Sequence, residues 1–110
     1  MIISKTPFRV SFIGGGSDLK SFYKHEPGCV ISTSINKYIY LSMHRYFYDN
    51  QSLIKYSSTE NVKSIDEIKH NIIREVFRLF KINNVDFNST ADIPSGTGMA
   101  SSSAFTVGLI

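Results

Sequence analysis

The run Ile93-Pro94-Ser95-Gly96-Thr97-Gly98-Met99-Ala100-Ser101-Ser102-Ser103-Ala104-Phe105 carries residue types that hold anions. Gly96 and Gly98 allow a tight turn and a close approach of backbone to ligand. Ser101, Ser102 and Ser103 follow where a helix would begin, so free amides, hydroxyls and the positive end of the helix dipole would converge on one point. That is chemistry for a phosphate group or its metal. The same residues also fit a plain Gly/Ser loop in which Ser101 serves as an ordinary N-cap and no ligand is needed. A Walker-type loop requires a lysine after its second glycine, and none follows Gly96 or Gly98; a dinucleotide fingerprint requires a third glycine where Ser101 stands. A second group lies near the N-terminus, where Arg9 and Asp18 flank Gly14, Gly15 and Gly16. Taken alone, Arg9 is a solvated edge residue and Asp18 a carboxylate at the favourable end of a helix dipole.

Hydrophobic periodicity supplies the elements that must position these groups. Residues 8–13 read as a strand entering the glycine run, with Phe8, Val10 and Phe12 on one side and Arg9, Ser11 and Ile13 on the other. Ser17 then caps a short helix carrying Leu19, Phe22 and Tyr23, which ends before Pro27-Gly28. Strands are expected at 29–34, with Cys29 buried, at 37–48 and at 52–57. The long alternating run puts Ile39, Leu41, Met43 and Phe47 on one face and Tyr38, Tyr40, Ser42, His44, Tyr46 and Tyr48 on the other. Ser64 and Glu67 form a capping box ahead of a helix whose apolar stripe is Ile68, Ile72, Val76, Leu79 and Phe80. Residues 85–92 alternate again and lead straight into the serine loop. The order predicts an α+β domain with early antiparallel hairpins and two helices over one face.

Two motifs, in this order, carry a family resemblance. Pro94, Gly98, Ser101 and Ser102 match the Pro-x-x-x-Gly-Leu-x-Ser-Ser-Ala loop of the GHMP kinases, the superfamily of galacto-, homoserine, mevalonate and phosphomevalonate kinases. Thr6 to Asp18 aligns without gaps on the first motif of the galactokinases, with Pro7, Arg9, Val10, Ile13, Gly14 and Asp18 identical. Gly15 and Gly16 replace the Glu-His pair of true galactokinases, and this triple-glycine version is similar to the heptose 7-phosphate kinase and fucokinase branch, as are Lys55–Glu60 and His70–Glu75. The resemblance implies a ribosomal S5 domain 2-like N-terminal domain over residues 1–110, incomplete at its C-terminal side because α-helical sequence from Ala104 to Ile110 stops without a terminator.

It also implies roles. Pro94, Gly96, Thr97, Gly98, Met99, Ala100, Ser101, Ser102 and Ser103 would hold ATP, with Ser102 touching Mg2+. Gly15, Gly16, Ser17 and Asp18 would bind the sugar, and Arg9 would position the acceptor and steady charge in the transition state. The implied reaction passes the γ-phosphoryl of ATP to the anomeric hydroxyl of D-glycero-D-manno-heptose 7-phosphate. The catalytic aspartate and the acidic metal ligand of that family follow the serine loop, so residues 1–110 alone are expected to be inactive. Ala100 stands at a position that is often glycine, which is harmless if it lies in the first helical turn.

Composition bounds the alternatives. The chain has 110 residues, a net charge of +3 and 12 Lys and Arg spread along it, which gives no nucleic-acid footprint and suits phosphorylated small molecules. One cysteine forms no internal disulfide, and the N-terminus lacks a signal-peptide core, so the expectation is a cytoplasmic protein without a membrane segment. The competing reading is a noncatalytic S5-like module binding RNA or protein through Tyr38 and Tyr40.

Overall fold

A computed structural model describes all residues, Met1–Ile110. Strand β1 (Ile2–Ile13) pairs antiparallel with β2 (Ile31–Arg45), and β2 pairs antiparallel with β5 (Val85–Ala91). β5 runs parallel to β3 (Ser52–Lys55), whose outer neighbour is β4 (Thr59–Val62). The sheet order is therefore β1-β2-β5-β3-β4. Helices α2 (Asn71–Phe80) and α3 (Ser101–Leu109) cover one face, and α1 (Lys20–Tyr23) is a single turn beyond the end of β1.

The α+β order is as the sequence predicts, with differences that have local causes. The two predicted strands at 29–34 and 37–48 are one long β2, because the chain stays extended through Ile35 and Asn36 and takes up a register shift against β1 there instead of a turn; it ends at Arg45, leaving Tyr46 buried and Phe47 exposed, the reverse of the alternation. Cys29 lies before the strand and is exposed rather than buried. Ser64 does cap, but what it caps is a 3-10 turn at Ile65–Glu67: its hydroxyl accepts from the Asp66 amide at 3.4 Å while Glu67 accepts from the Lys63 amide at 3.0 Å. The chain then extends through Ile68 and restarts as α2 at a new phase. The buried stripe of α2 is accordingly Ile73, Val76 and Phe77, and Leu79 and Phe80 point to solvent.

Phe77 and Phe105 meet Phe87 of β5 edge-to-face, at 5.8 and 6.3 Å between ring centres. Phe8, Ile39, Leu41 and Ile54 complete the floor. Gly108 lets α3 lie close on the sheet, since a Cβ there would stand 2.6 Å from the Thr6 hydroxyl. Only 16 residues are buried, so the core is small and little spare stability is available to absorb strain. The β1–β2 hairpin extends past this core: the radius of gyration is 16.0 Å, against ~13 Å for a compact chain of this length. Its far end carries Gly14 to Asp18 and exposes Phe12, Ile13, Leu19, Val30 and Ile31.

Candidate functional site

The last residues of β5 are fixed by a reciprocal pair: the Asp92 amide donates to the Tyr38 carbonyl at 2.9 Å, and the Tyr38 amide donates to the Asp92 carboxylate at 2.8 Å. From that anchor Ile93 and Pro94 lead into the loop. Gly96 and Gly98 both have positive φ, 82° and 73°, with open space where a Cβ would stand, so these two glycines are required by conformation and not by crowding. The loop returns to β1 through the Arg9 amide, which donates to the Met99 carbonyl at 3.4 Å.

Helix α3 then begins at an unusual cap. Ala100, not Ser101, is the N-cap; it sits in the left-handed region at φ 55° and offers no side-chain acceptor. The first helical hydrogen bond runs from the Ala104 amide to the Ala100 carbonyl at 2.9 Å, which leaves the amides of Ser101, Ser102 and Ser103 ahead of it uncapped by any side chain. The reading in which Ser101 is an ordinary N-cap is thus not what forms, and the expectation that alanine is harmless at position 100 is corrected: a Cβ in that conformation costs about 1–2 kcal/mol. Ala100→Gly should raise stability by about 0.5–1 kcal/mol, the difference between that strain and the added entropy of a glycine in the unfolded chain, read as a rise of a few degrees in Tm.

Ser101 and Ser102 line one end of a cleft of about 370 Å³. Pro94 and Ser95 of the loop and Ser89, Thr90 and Ala91 of β5 line it as well, and Phe8, Ile39 and Phe105 form its floor. Its other wall is Tyr56, Ser57, His70 and Ile72, none of which the sequence reading assigned to a site, although it quoted the segments that contain them. The size, the apolar floor and the hydroxyl-bearing rim suit a small-molecule ligand.

That second wall is held by Glu60. The carboxylate of this buried residue accepts from the Tyr56 hydroxyl at 2.6 Å and from the Lys69 amide at 2.8 Å. Burial alone would raise its pKa; the hydrogen bonds from Tyr56 and from the Lys69 and His70 amides outweigh that and hold the group below its ordinary value. Tyr56 shifts upward, first because it donates to Glu60 and then because it is desolvated. A carboxyl with a lowered folded pKa stabilises above its unfolded pKa and stops doing so as pH falls through the folded one. Tm should therefore decline as pH falls below the ordinary glutamate value of about 4.5. Glu60→Gln should lower Tm at neutral pH and flatten that decline; an unchanged acid limb in the variant would show that other carboxyls set it.

Arg9, Gly15, Gly16, Ser17 and Asp18 do not line the cleft. Arg9 and Asp18 are exposed, Arg9 next to the loop through its backbone and Asp18 at the end of a 3-10 turn spanning Gly15–Asp18. Ser17 caps no helix. Its hydroxyl donates to the Gly14 carbonyl at 2.7 Å and to the Cys29 carbonyl at 3.4 Å, closing the hairpin end, and Leu19 precedes α1. The glycine that needs its conformation here is Gly14, at φ 82°, while Gly15 and Gly16 have room for a side chain. Tyr38 and Tyr40 sit under Lys5, whose ammonium is 4.0 Å from the Tyr38 ring centre. No trio of His, Cys, Asp or Glu is arranged to hold a metal, and no helix is long and apolar enough to cross a membrane.

No family model matches the chain. It is 28% identical to D-glycero-alpha-D-manno-heptose 7-phosphate kinase from Campylobacter jejuni over 99% of its own length and 36% of that protein. Among solved structures it superposes on a D-glycero-D-manno-heptose 1-phosphate kinase from Bacteroides thetaiotaomicron with a TM-score of 0.82 at 20% identity, covering 99% of this chain and 40% of that one. It also superposes on the mevalonate kinase of Methanococcus jannaschii with a TM-score of 0.70 at 17% identity, covering 98% and 38%. The chain thus spans roughly two fifths of the length of the kinases it matches. The fold is that of the N-terminal part of the GHMP kinases, and the resemblance carried by the two motifs extends along nearly the whole chain.

Proposed function

We propose that the chain is the nucleotide-binding N-terminal domain of a GHMP-type sugar kinase that transfers the γ-phosphoryl of ATP to a heptose 7-phosphate, at its anomeric hydroxyl. The observation that carries this reading is the cleft lined by Ser101 and Ser102, at the start of a helix whose first amides no side chain caps. An anion placed there would gain those amides and the positive end of α3 together. Gly96, Thr97, Gly98, Met99, Ala100 and Pro94 shape the loop over it, and Ser101, Ser102 and Ser103 meet the phosphates.

Mg2+ fits this donor set in one way. Among the residues present, the exposed Ser102 hydroxyl, which makes no hydrogen bond of its own, would touch an ion carried on the nucleotide's oxygens. Bound there, magnesium would neutralise charge on the phosphates. The sugar phosphate would lie at the hairpin end, where Gly15 and Gly16 leave open surface and Asp18 presents an ionised acceptor for hydroxyls. Arg9, five residues before Gly14, is tied to the loop by its backbone amide, which donates to the Met99 carbonyl. Phosphoryl transfer needs chiefly such positioning and charge stabilisation. A cytoplasmic location accompanies the need for ATP.

Equilibrium binding separates this from an RNA-binding module. Mg·ATP should bind with an affinity that Ser102→Ala weakens, and RNA should not compete. Tight RNA binding that falls steeply with salt, together with indifference to ATP, would replace the kinase reading with the module.

A further inference from the structure

His70 occupies a position in the cleft wall that fixes which of its ring atoms can meet a ligand. It is the N-cap of α2, and its Nδ1 accepts a hydrogen bond from the Ile73 amide at 3.4 Å. A ring nitrogen that accepts bears no proton, so the hydrogen of the neutral ring is on Nε2. No protein group accepts from Nε2, and the ring lines the cleft. Moving that hydrogen to Nδ1 would set a donor against the Ile73 amide, N–H facing N–H, which is unfavourable. The ring is also held in place. Tyr56 meets it edge-on at 4.8 Å and Phe105 lies against it at 5.3 Å, while Glu60 fixes Tyr56 through its hydroxyl and accepts from the Lys69 amide next door.

We propose that His70 is a ligand-contacting residue whose Nε2–H donates to an acceptor nitrogen of the purine ring of the bound nucleotide. The inference rests on the nucleotide reading above. The triphosphate is drawn to the serine end, where uncapped amides and hydroxyls gather, so the base is left for the opposite wall. That wall is apolar in Tyr56 and Ile72, borders Phe105 of the floor, and presents one fixed N–H. A flat heteroaromatic ring with unprotonated nitrogens at its edge is the ligand such a wall takes: its faces and edge cover the apolar groups, and one nitrogen accepts the hydrogen bond. A neutral donor in a partly desolvated site also discriminates, because a ligand lacking the acceptor leaves the N–H unpaired.

The test uses the full-length protein and four nucleotides: ATP and its 1-deaza, 3-deaza and 7-deaza analogues, each with magnesium, in equilibrium binding. One deaza analogue should bind wild type on the order of tenfold more weakly than ATP, the size of one well-made hydrogen bond. In His70→Ser the α2 cap is retained, since serine is among the preferred N-caps. ATP should weaken to the level of that analogue, and the difference between the two should vanish. If all analogues bind wild type as ATP does, or the loss persists in His70→Ser, the assignment is overturned. The wild-type series alone decides the first of these even if the variant folds poorly. Failure of wild type to bind ATP at all would instead overturn the nucleotide reading on which the inference stands.

Discussion

Gly14→Ala is expected to lower Tm by ten to twenty degrees, from a loss of about 3 kcal/mol. Gly14 sits at φ 82°, and an added Cβ would overlap the carbonyl oxygen of Cys29 and stand 2.9 Å from its carbonyl carbon. Both atoms belong to backbone that the Ser17 hydroxyl ties down, so neither can swing aside. About 1–2 kcal/mol comes from the left-handed conformation and a similar amount from the clash. Gly15→Ala and Gly16→Ala are the controls: the first makes an ordinary contact 3.5 Å from the Ser11 Cβ and the second meets nothing within 4 Å. Thermal unfolding of the three variants side by side should single out Gly14. Equal destabilisation by all three would mean that the hairpin end is set by something other than this close approach.

Ser102→Ala is expected to reduce kcat about a hundredfold in the full-length protein, a magnitude typical of removing one polar group that acts on developing charge. Stability should be nearly unchanged, because the side chain is exposed and its hydroxyl holds no structural hydrogen bond; the Ser102 group used within the helix is its carbonyl, which accepts from the Thr106 hydroxyl at 2.8 Å. Steady-state turnover at saturating Mg·ATP, with Tm measured in parallel, checks both halves. Normal turnover would remove Ser102 from the phosphate site. A large fall in Tm would give it a structural role instead.

The parts of this site that are legible in the sequence are those written in residue types with few alternatives. Gly96 and Gly98 announce left-handed turns, three serines announce a helix start, and Pro7, Arg9, Gly14 and Asp18 fix the other motif. What escapes is what depends on partners distant in sequence. Tyr56 and His70 become a wall only because Glu60, on a four-residue edge strand with no apolar alternation to reveal it, accepts from both their neighbourhoods. The α2 face is misassigned because the Ser64 box closes a 3-10 turn and His70, an uncommon N-cap, restarts the helix with a different phase. Ala100 shows the converse limit: its residue type favours ordinary helix, and the requirement that α3 turn onto the sheet at that point overrides the preference. Gly14 was legible as a motif residue, but that it alone of the three glycines is sterically required follows only from the return of the chain at Cys29.

The measurement that bears most directly on the kinase assignment is phosphoryl transfer by the full-length protein, followed by 31P NMR with Mg·ATP and D-glycero-D-manno-heptose 7-phosphate. The predicted result is loss of the ATP γ-phosphate signal with growth of an anomeric sugar phosphate signal, both suppressed in Ser102→Ala. ATP consumed at the same rate without the sugar, or no transfer to heptose 7-phosphate or to any other sugar offered while the protein is folded and wild type, would contradict it.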